Sequence, residues 1–246
     1  MILNKTPSLV AFESEIKKVT SSKHQEEVNL MTTVINMYIN GFNLIDSFTF
    51  TEDNDVETAW LLLVTRSFHS MRCAIQLILM GYYGQAISLL RTITENFFIC
   101  HDCVKNPETV EAILYDKYKI PGRKHALTFY AMAERTNNMK VYKSDYHHQS
   151  QVSHPTSLSL GIIRDPETNT INAAPSYQEI LFLDCCEQFF RNALMMSEFM
   201  GRFLAKLSKT KVESWGETAN KTCKNFADWL DSLREKYSEE NTKTIK

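Results

Sequence analysis

Seven glycines and six prolines are all that this chain of 246 residues carries. Those two residues supply many of the tight turns in folded proteins, so a long chain that has few of them makes few turns and long elements. The apolar residues then say which kind of element. Val28, Met31, Ile35, Tyr38, Ile39 and Phe42 recur every three or four residues, which predicts an amphipathic helix over about 23–48. Trp60, Leu61, Val64, Phe68, Met71, Ile75 and Leu79 predict a second over about 56–80. Gly81 to Gly84 leaves room only for a tight connection, so a third helix over about 85–104 packs antiparallel to the second. Shorter helices are expected between 107 and 154, broken at Pro121–Gly122 and stopped before Pro155. Long ones follow at about 177–207 and 213–237. Only Ser159 to Ala174 lacks the helical pattern; it reads as a small hairpin or ordered loop around Asp165–Asn169. The expected fold is therefore all-α. It is a single domain over 1–246, a bundle of about seven helices with a polar tail after Ser238.

Composition removes several functional classes. Hydrophobic residues make up 43% of the chain, enough for a packed core. A net charge of −2 gives no basic field, so tight non-specific binding to DNA is not expected. Met1 to Val10 lacks the pattern of a signal peptide. The uncharged run Cys73–Leu90 is interrupted by two glycines and is too broken for a membrane span. We expect a cytoplasmic protein without a membrane partner. The six cysteines fit no disulfide framework and read as reduced, buried thiols. Cys100-His101-Asp102-Cys103 has C-x-x-C spacing, and Cys185-Cys186 is the only other pair. Vicinal cysteines rarely give two ligands to one ion, so no zinc site is expected. His147-His148 has only Asp145 beside it. Phosphate-binding glycine loops, H-E-x-x-H motifs and nucleophile elbows are absent from the sequence. No cofactor or metal is expected.

The third helix carries most of the functional information. From Ala86 to Cys100 apolar residues occupy every side, and only Arg91 and Glu95 interrupt them as charges. Residues four apart share a helix face, so the two are expected to pair. If the pair were sealed among apolar side chains, losing one partner would cost about 3–5 kcal/mol. Ser88 lies near the same stripe. A second run, Tyr146, Ser150 and His154, is also spaced by four and forms one polar line ending at Pro155. Tyr and Ser donate and accept hydrogen bonds, and His is the side chain suited to acid–base work near neutral pH. The same run, with His147, Gln149 and Gln151, also reads as an ordinary wet helix face.

Tyr83, Ala86, Leu89, Arg91 and Glu95 match a y-x-x-A-x-x-L-x-R-x-x-x-E helix, and Tyr146, Ser150 and His154 match a later Y-x-x-x-S-x-x-x-H helix. Together they resemble an uncharacterised bacterial helical family of unknown function, itself distantly similar to HEPN-type proteins. The similarity covers about 56–174. It implies an all-helical fold and, through the HEPN likeness, ribonuclease or phosphodiester chemistry in a bacterial defence or stress system. HEPN ribonucleases place a histidine four to six residues after an arginine. This chain departs from that pattern: Arg66 to His69 is too short and Arg91 to His101 too long.

Two functions follow from these residues. One is a buried polar site for RNA or a small anionic ligand, with Arg91 holding the anion and Tyr146 and Ser150 orienting it. Glu95 and His154 would be the acid–base pair if the site is catalytic, a phosphodiester hydrolase being the concrete form. The other is a non-catalytic interaction or oligomerisation module in which the polar cluster only fixes packing. Trp215, Phe226 and Trp229 on the last helix read either as a homo-oligomer interface or as a cap on the core.

Overall fold

The computed structural model describes residues 8–45, 52–115, 128–154 and 175–244. Helix takes up 91% of them, and no strand occurs among them. Nine helices are present among the described residues, against about seven expected. In chain order they are α1 (Leu9–Lys23), α2 (Gln25–Asn43), α3 (Asp55–Leu79), α4 (Tyr83–Lys105), α5 (Pro107–Tyr115), α6 (Phe129–Arg135), α7 (139–153), α8 (Glu179–Leu207) and α9 (Lys209–Thr244). The hairpin or loop expected at 159–174 lies outside the described residues.

The extra count arises largely at the N-terminus. α1 carries little apolar pattern, and Leu9, Val10 and Phe12 are exposed on it. The boundary between α1 and α2 falls at His24, with neither glycine nor proline to announce it. His24 is held there by burial: its ring stacks on Phe182 at 4.2 Å and its Nε2 lies 2.7 Å from the Tyr177 hydroxyl.

α4 is the central element. It packs on α3, α5, α6, α7 and α8, which is why its apolar residues run round most of its surface. The expected tight turn joins it to α3. Gly81 has φ +82°, and a Cβ there would sit 2.6 Å from the Ser176 carbonyl oxygen, so only glycine serves. Apolar burial of this extent is the main force holding such a bundle together. Buried tryptophans add directed bonds, Trp60 Nε1 donating to the Cys100 carbonyl at 3.0 Å.

α8 lies against α2, α3, α4 and α9, and it contributes Phe182, Phe189, Phe190, Phe199 and Phe203 to the core. α9 closes the bundle against α2 and α8. Trp215 and Trp229 are 5% and 2% exposed, and their indoles donate to the Met37 carbonyl at 3.0 Å and to Glu27 Oε1 at 3.1 Å. Both tryptophans thus cap the core of their own chain. Close approach at Gly41 permits this, since a Cβ there would lie 2.9 Å from the Trp215 indole nitrogen. Among the described residues no helix is long and apolar enough to cross a membrane.

Candidate functional site

Four of the five side chains singled out by spacing meet between α4 and the C-terminal end of α7. Arg91 is the hub. Its Nε donates to Glu95 Oε1 at 3.0 Å, one turn on along α4. One terminal nitrogen donates to the Tyr146 hydroxyl at 3.0 Å, and the other lies 3.1 Å from His154 Nε2. Arginine only donates, so in this contact His154 Nε2 stands as the acceptor. The Tyr146 hydroxyl is also 3.4 Å from Glu95 Oε1, a long contact that closes a loop of polar groups.

Local structure explains how α7 delivers these groups. Residues Tyr142–Tyr146 form a π turn between short α-helical stretches, Met139–Val141 and His147–Ser153. Such a turn shifts the phase of a helix, and π turns are frequent at functional sites. Here Tyr146 is turned into an aromatic nest, stacked on Tyr142 at 5.1 Å and edge-on to Phe98 at 6.0 Å. Burial raises the Tyr146 pKa, Arg91 opposes that shift through its hydrogen bond, and the Glu95 charge adds to it. The hydroxyl therefore stays protonated and is kept as a donor.

The structure corrects several of these expectations. Arg91 and Glu95 are not sealed, for their side chains keep 20% and 21% exposure. His154 does not continue the helical line. α7 ends at Ser153, and His154 sits beyond it in extended conformation, its backbone N–H bonded to the Ser150 carbonyl at 3.2 Å. It reaches Arg91 from an exposed position. Ser150 is half-buried, and its hydroxyl bonds none of the other four. Ser88 bonds back to the Gly84 carbonyl at 3.0 Å and stays out of the cluster. The wet-face reading of α7 fails at Gln149, which is fully buried beside Thr94, Oε1 to hydroxyl 2.8 Å.

A second charged cluster was not signalled by any motif. Asp102, fully buried near the end of α4, accepts from Arg135 Nε at 3.0 Å and Nη2 at 2.8 Å, and from the Thr109 hydroxyl at 2.6 Å. It ties α4, α5 and α6 together. The one available hint was a carboxylate at an inward phase of α4, between the buried Cys100 and Cys103. Those two cysteines, with Cys185 and Cys186, are free and buried. Burial pushes all four thiols up, that of Cys103 to about 12, so none is a ready thiolate. Among the described residues no group of three or more His, Cys, Asp and Glu is arranged to hold a metal.

The chain matches no protein-family model, no curated protein and no solved structure.

Proposed function

We propose that the Arg91–Glu95–Tyr146–His154 cluster binds a phosphate or similar oxyanion, of the kind an RNA backbone presents. One observation carries this reading: an arginine side chain held by Glu95 of α4, Tyr146 of α7 and His154 just beyond α7 that still keeps one-fifth of its surface open. Arginine has five N–H groups in a rigid fork suited to oxyanions. Three of its nitrogens are aimed here by partners, which removes most of the ordering cost of binding. His154, exposed and bonded through its side chain to Arg91 alone, is displaceable at the rim. In the hydrolytic form of the reading, His154 and Glu95 exchange protons with the phosphodiester and its attacking nucleophile.

A second reading has an observation of its own. Each of the three Arg91 nitrogens already has a partner, and Glu95 already balances its charge, which is what a clamp docking α7 onto α4 would need. Fluorescence anisotropy with labelled single-stranded RNA, and calorimetry with inorganic phosphate, separate the two. The anion reading expects binding that weakens with salt and falls about tenfold or more in both Arg91→Met and His154→Ala. Absence of binding to the unaltered protein leaves the clamp. Gel analysis of the same RNA after incubation tests the hydrolytic form.

A further inference from the structure

A separate pocket of about 250 Å³, partly open to solvent, lies beside Glu95 between α3, α4, α5 and α6. We infer that it binds a small apolar α-amino acid as the free zwitterion. The apolar part of its wall is Ile99, Ala112, Ile113, Phe129 and Met132. The polar part is Arg66, Glu95 and Asn96. Arg66 has no hydrogen-bond or ion-pair partner among the described residues, although it stands close to a carboxylate-bearing cavity. Glu95 uses Oε1 for Arg91 and Tyr146, and its Oε2 has no described partner. Asn96 is 1% exposed. Its amide nitrogen donates to the Ser67 hydroxyl at 2.9 Å, and its Oδ1 has no described partner. Thr109, the remaining wall residue, is committed to Asp102 at 2.6 Å.

The ligand class follows from matching these groups. The site offers one exposed cation, one partly open carboxylate and the amide oxygen of a buried asparagine, all beside an apolar wall. A ligand whose charges oppose these gains from each, and one whose charge matches any of them is repelled. A simple anion would satisfy Arg66 but leave both oxygens facing it. An alkylammonium would satisfy the oxygens but face Arg66. A hydrocarbon would satisfy none of the three. A molecule with adjacent carboxylate and ammonium groups and a short apolar chain matches each: carboxylate to Arg66, ammonium to Glu95 Oε2 and Asn96 Oδ1, chain to the aliphatic and aromatic wall. Size agrees. The volume is below the roughly 300–1,000 Å³ of sites for drug-sized molecules. It holds about eight waters at ~30 Å³ each, the scale of an amino acid. The site uses the cavity side of Glu95 and not the rim of His154, so it stands whether or not the anion reading does.

Calorimetry on the full chain tests this with leucine, methionine and phenylalanine. Two analogues, 4-methylpentanoate and isoamylamine, each lack one charge of leucine. At least one amino acid is expected to bind, with each singly charged analogue weaker by about tenfold or more. Arg66→Met, at an exposed position that leaves the core intact, should lower amino-acid affinity by a similar factor. Ala112→Leu should abolish binding by filling the chamber. His154→Ala should leave binding unchanged while altering any response to phosphate. The inference is overturned if none of the three amino acids binds at millimolar concentration. It is equally overturned if the singly charged analogues bind as well as leucine, or if Arg66→Met leaves affinity untouched.

Discussion

Two arginine–carboxylate pairs, each with its carboxylate on α4, have been placed under opposite conditions. Arg135 reaches in from α6 to grip Asp102, whose side chain has no exposure, through two nitrogens. Arg91 grips Glu95 within one helix, and both partners keep about one-fifth of their surface. The first carboxylate has no water to fall back on, so its bonds hold the end of α4 to α5 and α6. The second can be rehydrated when its partner leaves. Sealing makes a pair structural. An opening leaves a pair able to exchange partners, which is what a binding site requires.

The largest effect expected from this contrast is at Arg135. Arg135→Met should destabilise the protein by about 3 kcal/mol, near the low end for breaking a buried pair because Arg135 itself is a third exposed. Asp102→Asn should cost a comparable amount, since its amide nitrogen would set a donor against the Arg135 or Thr109 donors at a position without water. Urea unfolding measures both. An Arg135→Met cost equal to that of Arg91→Met would erase the distinction between the pairs.

Next in size are Arg91→Met and Glu95→Gln. With both side chains open to solvent, each should cost about 1 kcal/mol and not the 3–5 kcal/mol that full burial would imply. The double change should cost less than the sum, because the two share one contact at 3.0 Å. Tyr146→Phe joins the same cycle: it keeps the aromatic nest and removes only the hydroxyl bonded to Arg91. Full additivity among the three would mean that the cluster is not coupled at all.

The two clusters also differ in how far the sequence revealed them. Arg91 and Glu95 were legible because they share one helix at a fixed spacing and stand out as the only charges among apolar neighbours. Tyr146 was legible by spacing too, although a π turn rather than a regular helix presents it. Asp102 and Arg135 were not legible. They are thirty-three residues apart on different helices, and no periodicity predicts which distant side chain an inward carboxylate will meet. Exposure was misjudged for the same reason. α4 is apolar on most sides, but α7 covers the Arg91 face only as far as Ser153. The long helices followed from their apolar stripes. α1 did not, because it buries only Thr20 and so leaves almost no stripe to read.

Smaller again, the contrast between sealed and open groups extends to the histidines and shows in pH dependence. Burial lowers the pKa of His24 and of His101 below the ordinary 6.5, with Glu27 and Glu198 respectively opposing the shift. A depressed pKa means the unfolded chain binds the proton first, so these two contribute stability above 6.5 that is lost as pH falls through their folded values. His148 has the opposite sign. Its contact with Asp184, 3.5 Å away, raises its pKa, so its contribution is full below 6.5 and lost as pH rises through the folded value. His101→Gln should therefore flatten the loss of stability on the acid side, and His148→Gln should remove a gain there. Chemical unfolding across the pH range measures both slopes. The same slope in His101→Gln as in the parent would contradict the burial account.

The smallest stability effect is expected at His154, and it decides what the open cluster is for. The residue lies beyond the end of α7, is exposed, and its side chain bonds only Arg91, at 3.1 Å. Exposed contacts of this kind contribute little, so His154→Ala should cost no more than about 0.5 kcal/mol. Were the cluster a clamp, that small loss would be the whole consequence. Under the anion reading the same substitution removes the group that closes over the ligand, and phosphate or RNA affinity should fall about tenfold while the unfolding curve barely moves. His154→Gln refines the result, because a glutamine oxygen can still accept from Arg91 while the imidazole ring is lost. It should hold Arg91 in place and bind anions more weakly than the histidine protein. A glutamine variant that binds with the parent's affinity would leave His154 no role beyond holding Arg91.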